Sequence, residues 1–102
     1  MRGASKINKH DTYVEDLCGR LAQRYDLLLR NVPLYSEKKR LVGEIDVLAC
    51  KDGVCDVYEV KCSFRITKAK KQLHKIKKLI TPRSMIRNAF FFCGESGSLV
   101  GV

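Results

Sequence analysis

LVGEIDVLACKDGVCDVYEVKC, residues 41–62, is the stretch that decides the fold. Two runs of β-forming residues, 41–50 and 54–62, flank Lys51-Asp52-Gly53. Asp-Gly between such runs is a strong hairpin signal, because a type I′ turn needs positive φ at both central positions. With Asp52-Gly53 as a two-residue turn, Lys51 faces Val54 and every facing pair of residue numbers sums to 105. Cys50 then opposes Cys55, Leu48 opposes Val57, Asp46 opposes Glu59 and Glu44 opposes Lys61. Directly opposed residues share a face, with Cβ atoms roughly 4.5–5.5 Å apart. One face is therefore apolar near the turn and carries Glu44, Asp46, Glu59 and Lys61 at its far end. A three-residue loop with a bulge would offset this register by one.

Two carboxylates facing each other across a ladder repel and destabilise a bare sheet. A hard divalent cation such as Mg2+ or Mn2+ removes that repulsion, because such ions select oxygen ligands. The alternative is a surface patch in which Lys61 pairs with Glu44 and offsets the repulsion. Spacing alone leaves both open.

Working outward, Asp11 or Thr12 is placed to cap a helix running to about Leu29. Its stripe is Val14, Leu17, Cys18, Leu21, Ala22, Tyr25, Leu28 and Leu29, and Glu15 borders it. NVPLYS (31–36) reads as an edge strand, since Pro33 argues against a central position. After Arg65 a second helix extends to about Ile80, ending before Pro82, with Ile66, Ala69, Leu73, Ile76 and Ile80 at helical spacing. AFFFC (89–93) fits a buried strand reached by that helical crossover. The tail GESGSLVGV reads as loop with room for a short closing strand. The expectation is one α/β (α+β) domain over 1–102, core about 11–93, with a basic N-terminal arm and a short C-terminal tail. Its order is αβββαβ, a central mixed four-stranded sheet flanked by helices.

The chain has 102 residues, is 45% hydrophobic and carries a formal charge of +9. No apolar run approaches the roughly 18 residues that span a bilayer. The N-terminus lacks the apolar core of a secretory signal, so the expected location is cytoplasmic, with nucleoid association when bound to DNA. Five cysteines, an odd number without a CxxC pair, read as small buried thiols. His10 and His74 lie too far apart in sequence to suggest a close pair of zinc ligands. Charge is distributed unevenly. Between Val60 and Gly94 no acidic residue occurs, against ten basic ones. Such one-sidedness suits a polyanion, nucleic acid before anionic membrane.

GEID (43–46), followed by EVK (59–61) with Glu59 thirteen positions after Asp46, resembles the PD-(D/E)XK nuclease superfamily. Ile45 takes the place of the motif's proline. The chain is similar to archaeal Holliday junction resolvases and to small GEID…EVK nucleases. The resemblance covers residues 11–93 and implies a restriction-endonuclease-like core. It implies that Asp46 and Glu59 bind Mg2+, with Mn2+ as substitute, joined by the Val60 carbonyl. Lys61 becomes the catalytic lysine, Glu15 the acid of the first helix at the metal, and Gln72 a glutamine near the active site. Ser36 is a weaker candidate before the first motif. Arg65, Lys68, Lys70, Lys71, Lys75 and Lys78 would contact DNA phosphates.

The implied activity is metal-dependent endonucleolytic hydrolysis of duplex or branched DNA in recombination or repair, by a homodimer without organic cofactor or membrane. Few aromatics accompany the lysines, which favours backbone and shape recognition over stacking on unpaired bases. The alternatives are a non-catalytic basic nucleic-acid-binding module, or a nuclease of the same superfamily used in restriction, end trimming or RNA cleavage.

Overall fold

In the computed structural model of the chain, Asp52 and Gly53 take φ values of 53° and 82°, the paired left-handed conformations of a type I′ turn. Residues 8–80 and 86–102 are described. Residues 1–7 of the expected N-terminal arm, and Pro82 beyond the second helix, lie outside the described residues. Strand β2 (Leu41–Lys51) pairs antiparallel with β3 (Val54–Lys61). The register is Lys51↔Val54, Cys50↔Cys55, Ala49↔Asp56, Leu48↔Val57 and Val47↔Tyr58, so the facing pairs sum to 105 as expected.

The first helix differs from expectation at both ends. Helix α1 spans Lys9–Leu21, capped by Asn8, whose side chain accepts the Asp11 N–H at 2.8 Å. Instead of continuing to Leu29, the chain turns after Leu21 and forms strand β1 (Leu27–Tyr35). The leucines at 27–29 favour a helix intrinsically, but extended backbone lets Leu28 pair with Ala49 and pack beneath α1. Tertiary pairing thus overrides local propensity. Strand β1 lies at the sheet edge, where Pro33 is tolerated.

Helix α2 (Ile66–Ile80) falls where its apolar spacing predicts, with Ala69, Leu73 and Ile76 buried. It carries the chain over to β4 (Ile86–Cys93), parallel to β3. Strand β5 (Ser98–Gly101) then closes antiparallel on β4. The sheet therefore has five strands in the order β1-β2-β3-β4-β5, where four and a tail were expected. The fold is α+β with a mixed sheet and two helices. Among the described residues no helix is long and apolar enough to cross a membrane.

The helices cover opposite faces, as alternation along β3 requires. Val14, Leu17, Cys18 and Leu21 of α1 pack on Val47, Ala49, Tyr58, Val60 and Phe92. Leu73 and Ile76 of α2 pack on Ile45, Val57 and Ala89, while Ala69 meets Phe91 and Cys93. Gly94, after β4, has no room for a side chain, since an added Cβ would lie 2.1 Å from the Tyr13 ring. Cys18 and Cys93 are buried thiols, as expected. Cys50 and Cys55 are not thiols. They form a cross-strand disulfide, Cα–Cα 4.1 Å, in the first pair beyond the one next to the turn. In a two-residue hairpin that pair is not hydrogen-bonded, which brings its side chains closest.

Asp56, 2% exposed, anchors the α1 side of β3. Its carboxylate accepts the Tyr25 hydroxyl, the Arg87 guanidinium at 3.2 and 2.8 Å, and the Asn88 N–H at 3.1 Å. Burial opposes its charge, but these donors prevail and hold its pKa below the usual carboxylate value. Asp56→Ala would leave those donors without their acceptor and cost roughly 3 kcal/mol, read as a lower urea midpoint.

Candidate active site

Two neighbouring odd-numbered residues of β2 face opposite ways. Val47 packs beneath α1, whereas Ile45 packs with Val32 and Leu34 beneath α2. Regular alternation would put both on one face. The switch falls at Asp46 and, on the paired strand, at Asn31, whose φ is 53°. Arg30 pairs with Val47 and Val32 with Ile45, so both strands turn over together between these pairs. Asparagine tolerates this left-handed backbone better than most side chains.

The register of β2 with β3 runs from the turn as far as Val47↔Tyr58, so the expected facing pairs Asp46–Glu59 and Glu44–Lys61 are not part of it. Beyond it, the Asp46 carboxylate accepts the Val60 N–H at 2.8 Å, a side chain standing where a neighbouring strand's carbonyl would be. Asp46 thus occupies the fork where the two strands part. Glu59 lies beside it, near enough for the Asp46 charge to act on its carboxyl group. Asp46 is 6% exposed and Glu59 5%. The Lys61 ammonium is 3.2 Å from Glu59 Oε2. Lys61 therefore pairs along its own strand with Glu59, where the surface-patch reading had paired it with Glu44.

Burial, then the charge of Asp46, pushes the Glu59 carboxyl up to about 7, and Lys61 only partly offsets them. A carboxylate pair in this state carries an electrostatic cost that a cation would remove.

From α1 the neighbour of this pair is His10. Its Nε2 lies 3.1 Å from the Val60 carbonyl oxygen and 3.4 Å from Asp46 Oδ2. A carbonyl only accepts, so Nε2 carries the proton in this arrangement. The sequence weighs His10 only against the distant His74 as a zinc pair, and a helix capped at Asp11 or Thr12 leaves position 10 outside it. Had the apolar stripe been extended back one turn from Val14, it would have reached position 10. Glu15, the helix residue expected at the metal, is exposed and held by the Arg30 guanidinium, Oε1 to Nη2 3.1 Å. At about 100° from Val14 around the helix it reaches β1, while His10 continues the buried stripe to the fork.

Gln72 comes down from α2 onto β2, its Nε2 3.4 Å from the Glu44 carbonyl, two residues before Asp46. Ser36 belongs to the β1–β2 turn, where its Oγ accepts the Arg40 N–H at 3.3 Å. Arg65 precedes α2, and Lys68, Lys70, Lys71, Lys75 and Lys78 are exposed along it. Lys71, His74, Lys75 and Lys78 line an open concavity of about 410 Å3. Their spacing of three and four places them on one helix face.

Among the described residues no three His, Cys, Asp or Glu side chains already form a metal cage. The donors at the fork are two carboxylates and the Val60 carbonyl, an oxygen set whose chemistry fits Mg2+ or Mn2+. No protein-family model matches the chain and no curated protein is measurably similar to it.

Proposed function

We propose that this chain is a Mg2+-dependent DNA endonuclease with a PD-(D/E)XK, restriction-endonuclease-like core. The observation that carries the reading is the buried Asp46–Glu59 pair at the β2–β3 fork with the Lys61 ammonium 3.2 Å from Glu59. A non-catalytic basic module would also use the α2 lysines, but it gives no role to two adjacent buried carboxyl groups whose burial Lys61 only partly offsets. Burying charge is costly unless it is paired or coordinates a metal.

In this reading Asp46, Glu59 and the Val60 carbonyl hold the metal. When bound, Mg2+ lowers the pKa of a coordinated water and neutralises charge on the scissile phosphate. The Lys61 ammonium orients the attacking water and donates to a non-bridging phosphate oxygen. His10 holds the Val60 carbonyl and Asp46 in place. It joins the ligand set only if Nε2 gives up its proton and Nδ1 carries it. Gln72 ties α2, and with it the phosphate-binding lysines, to the strand bearing Asp46. Recombination or repair on branched or duplex DNA, by a homodimer with two active sites, follows from the same resemblance.

Incubation with four-way, flap and linear DNA in Mg2+, Mn2+ and EDTA tests this proposal. Metal-dependent cutting supports it; tight binding with no cutting in either metal overturns it. A second test concerns docking. Lys70→Glu combined with Lys71→Glu should weaken DNA binding at least about tenfold at low salt. The slope of log K against log salt should also flatten by about two units, as expected when two phosphate contacts are lost. Unchanged affinity would remove α2 from the interface.

A further inference from the structure

The loop between β3 and α2 holds an aromatic side chain that the lysine-based docking scheme does not use. Among the described residues two exposed large apolar side chains are aromatic, Tyr35 and Phe64, and Phe64 follows Lys61 by three positions. Phe64 is 57% exposed, and its ring rests on the core. Its ring meets Phe91 edge to face, centroids 5.3 Å apart at 73°, and Phe91 is fully buried in the core. The end of β3 beneath it is fastened. The Gly94 N–H donates to the Lys61 carbonyl at 2.8 Å and the Glu95 N–H to the Cys62 carbonyl at 2.9 Å.

Phe64, Arg65, Ile66, Thr67 and Lys68 line an open concavity of about 410 Å3. The combination is an apolar ring supported from behind, open in front and flanked by two cations. A nucleotide presents the complement, a flat π-face joined to a phosphate. Aromatic rings beside basic groups bind single strands in this way, because every base has a face to stack and the phosphates meet the cations. A base inside a continuous duplex already stacks on its neighbours and leaves no face free for Phe64.

We propose that Phe64 is a stacking platform for an unpaired nucleobase, with Arg65 and Lys68 holding that nucleotide's phosphates. The chain prefers DNA carrying unpaired nucleotides beside the cut, such as a flap, gap or frayed branch. The position relative to the cut rests on the reading of Lys61 as part of the nuclease site. Three residues of chain place the two Cα atoms within about 11 Å. Even with the reach of both side chains added, the stacked base lies within several nucleotides of the scissile phosphate.

The experiment compares binding, in EDTA, of one duplex bearing a three-nucleotide flap with bases and the same duplex bearing an abasic flap. The phosphates are identical, so only stacking differs. The wild-type chain should favour the base-bearing flap by about tenfold, within the range that stacking supplies per base. Phe64→Leu keeps an apolar contact with Phe91 but lacks a π-face, and should lose that preference while binding the abasic flap as before. The chain contains no tryptophan, so Phe64→Trp adds a single indole whose emission can be excited apart from that of the tyrosines. Its emission should be quenched by the base-bearing flap and not by the abasic one.

Equal binding of the two flaps by the wild type, full preference in Phe64→Leu, or no quenching in Phe64→Trp would each overturn the proposal. Cleavage in Mg2+, measured separately, distinguishes the two readings. Metal-dependent cutting without base preference leaves the nuclease and removes the platform. Base-dependent quenching without any cutting leaves the platform and removes the nuclease.

Discussion

Asp46→Asn should lower Mg2+-dependent DNA cleavage by at least about a thousandfold, some 4 kcal/mol of transition-state stabilisation, while leaving the metal-free fold as stable as before or more so. The two halves of this outcome have separate causes. An asparagine Oδ1 can still accept the Val60 N–H that Asp46 accepts at 2.8 Å, so the fork keeps its hydrogen bond. The charge that raises the Glu59 pKa disappears, so Glu59 ionises more easily in its buried position. The metal, however, loses a charged oxygen ligand. Thermal melts with and without Mg2+ and initial cleavage rates read both effects. A variant that cuts at the wild-type rate would leave the carboxylate pair without a catalytic role.

The second large effect concerns pH. Glu59 rises from an ordinary value of 4.5 to about 7 in the folded chain, first through burial and then through Asp46. Between these values the folded state holds a proton that the unfolded chain has released, so stability falls as pH rises. The loss is absent below about pH 4.5 and complete above about pH 7, and amounts to something on the order of 3 kcal/mol. Bound metal reverses the balance, because it requires ionised carboxylates. Metal affinity should therefore climb up to about tenfold per unit as pH rises toward 7, and then level off. Calorimetric titration with Mg2+ or Mn2+ at pH 6, in two buffers of different ionisation enthalpy, should report release of close to one proton per metal. At pH 8 the release should vanish. Affinity that stays flat across this interval would show that Glu59 does not hold the metal.

The hairpin, its register and the second helix were legible in the residues because each depends on short-range rules. Asp52-Gly53 satisfies the φ demands of its turn, period-two alternation follows from it as far as Val47 and Tyr58, and Ile66 to Ile76 repeat at helical spacing. The first helix was overextended because Tyr25 to Leu29 suit a helix as well as a strand. Their choice is made by β2, a partner more than a dozen residues downstream. The disulfide was missed although Cys50 and Cys55 were already placed opposite each other. An odd cysteine count favours thiols, whereas the closeness of a non-hydrogen-bonded pair favours the bond.

The sequence by itself determined that Glu59 and Lys61 lie two apart on one strand, that a hairpin joins that strand to the one bearing Asp46, and that the cations gather on the second helix. These follow from connectivity and periodicity, which act over a few residues. Only the tertiary structure decided that His10 rather than Glu15 reaches the fork, that β1 and β2 turn over together at Asn31 and Asp46, and that Phe64 stands open on a buried support. Those outcomes depend on how α1 lies across the sheet, where two strands part, and which ring fills the core beneath a loop. Long-range packing sets all three, because a side chain's neighbours across a core are chosen by the elements that close over it.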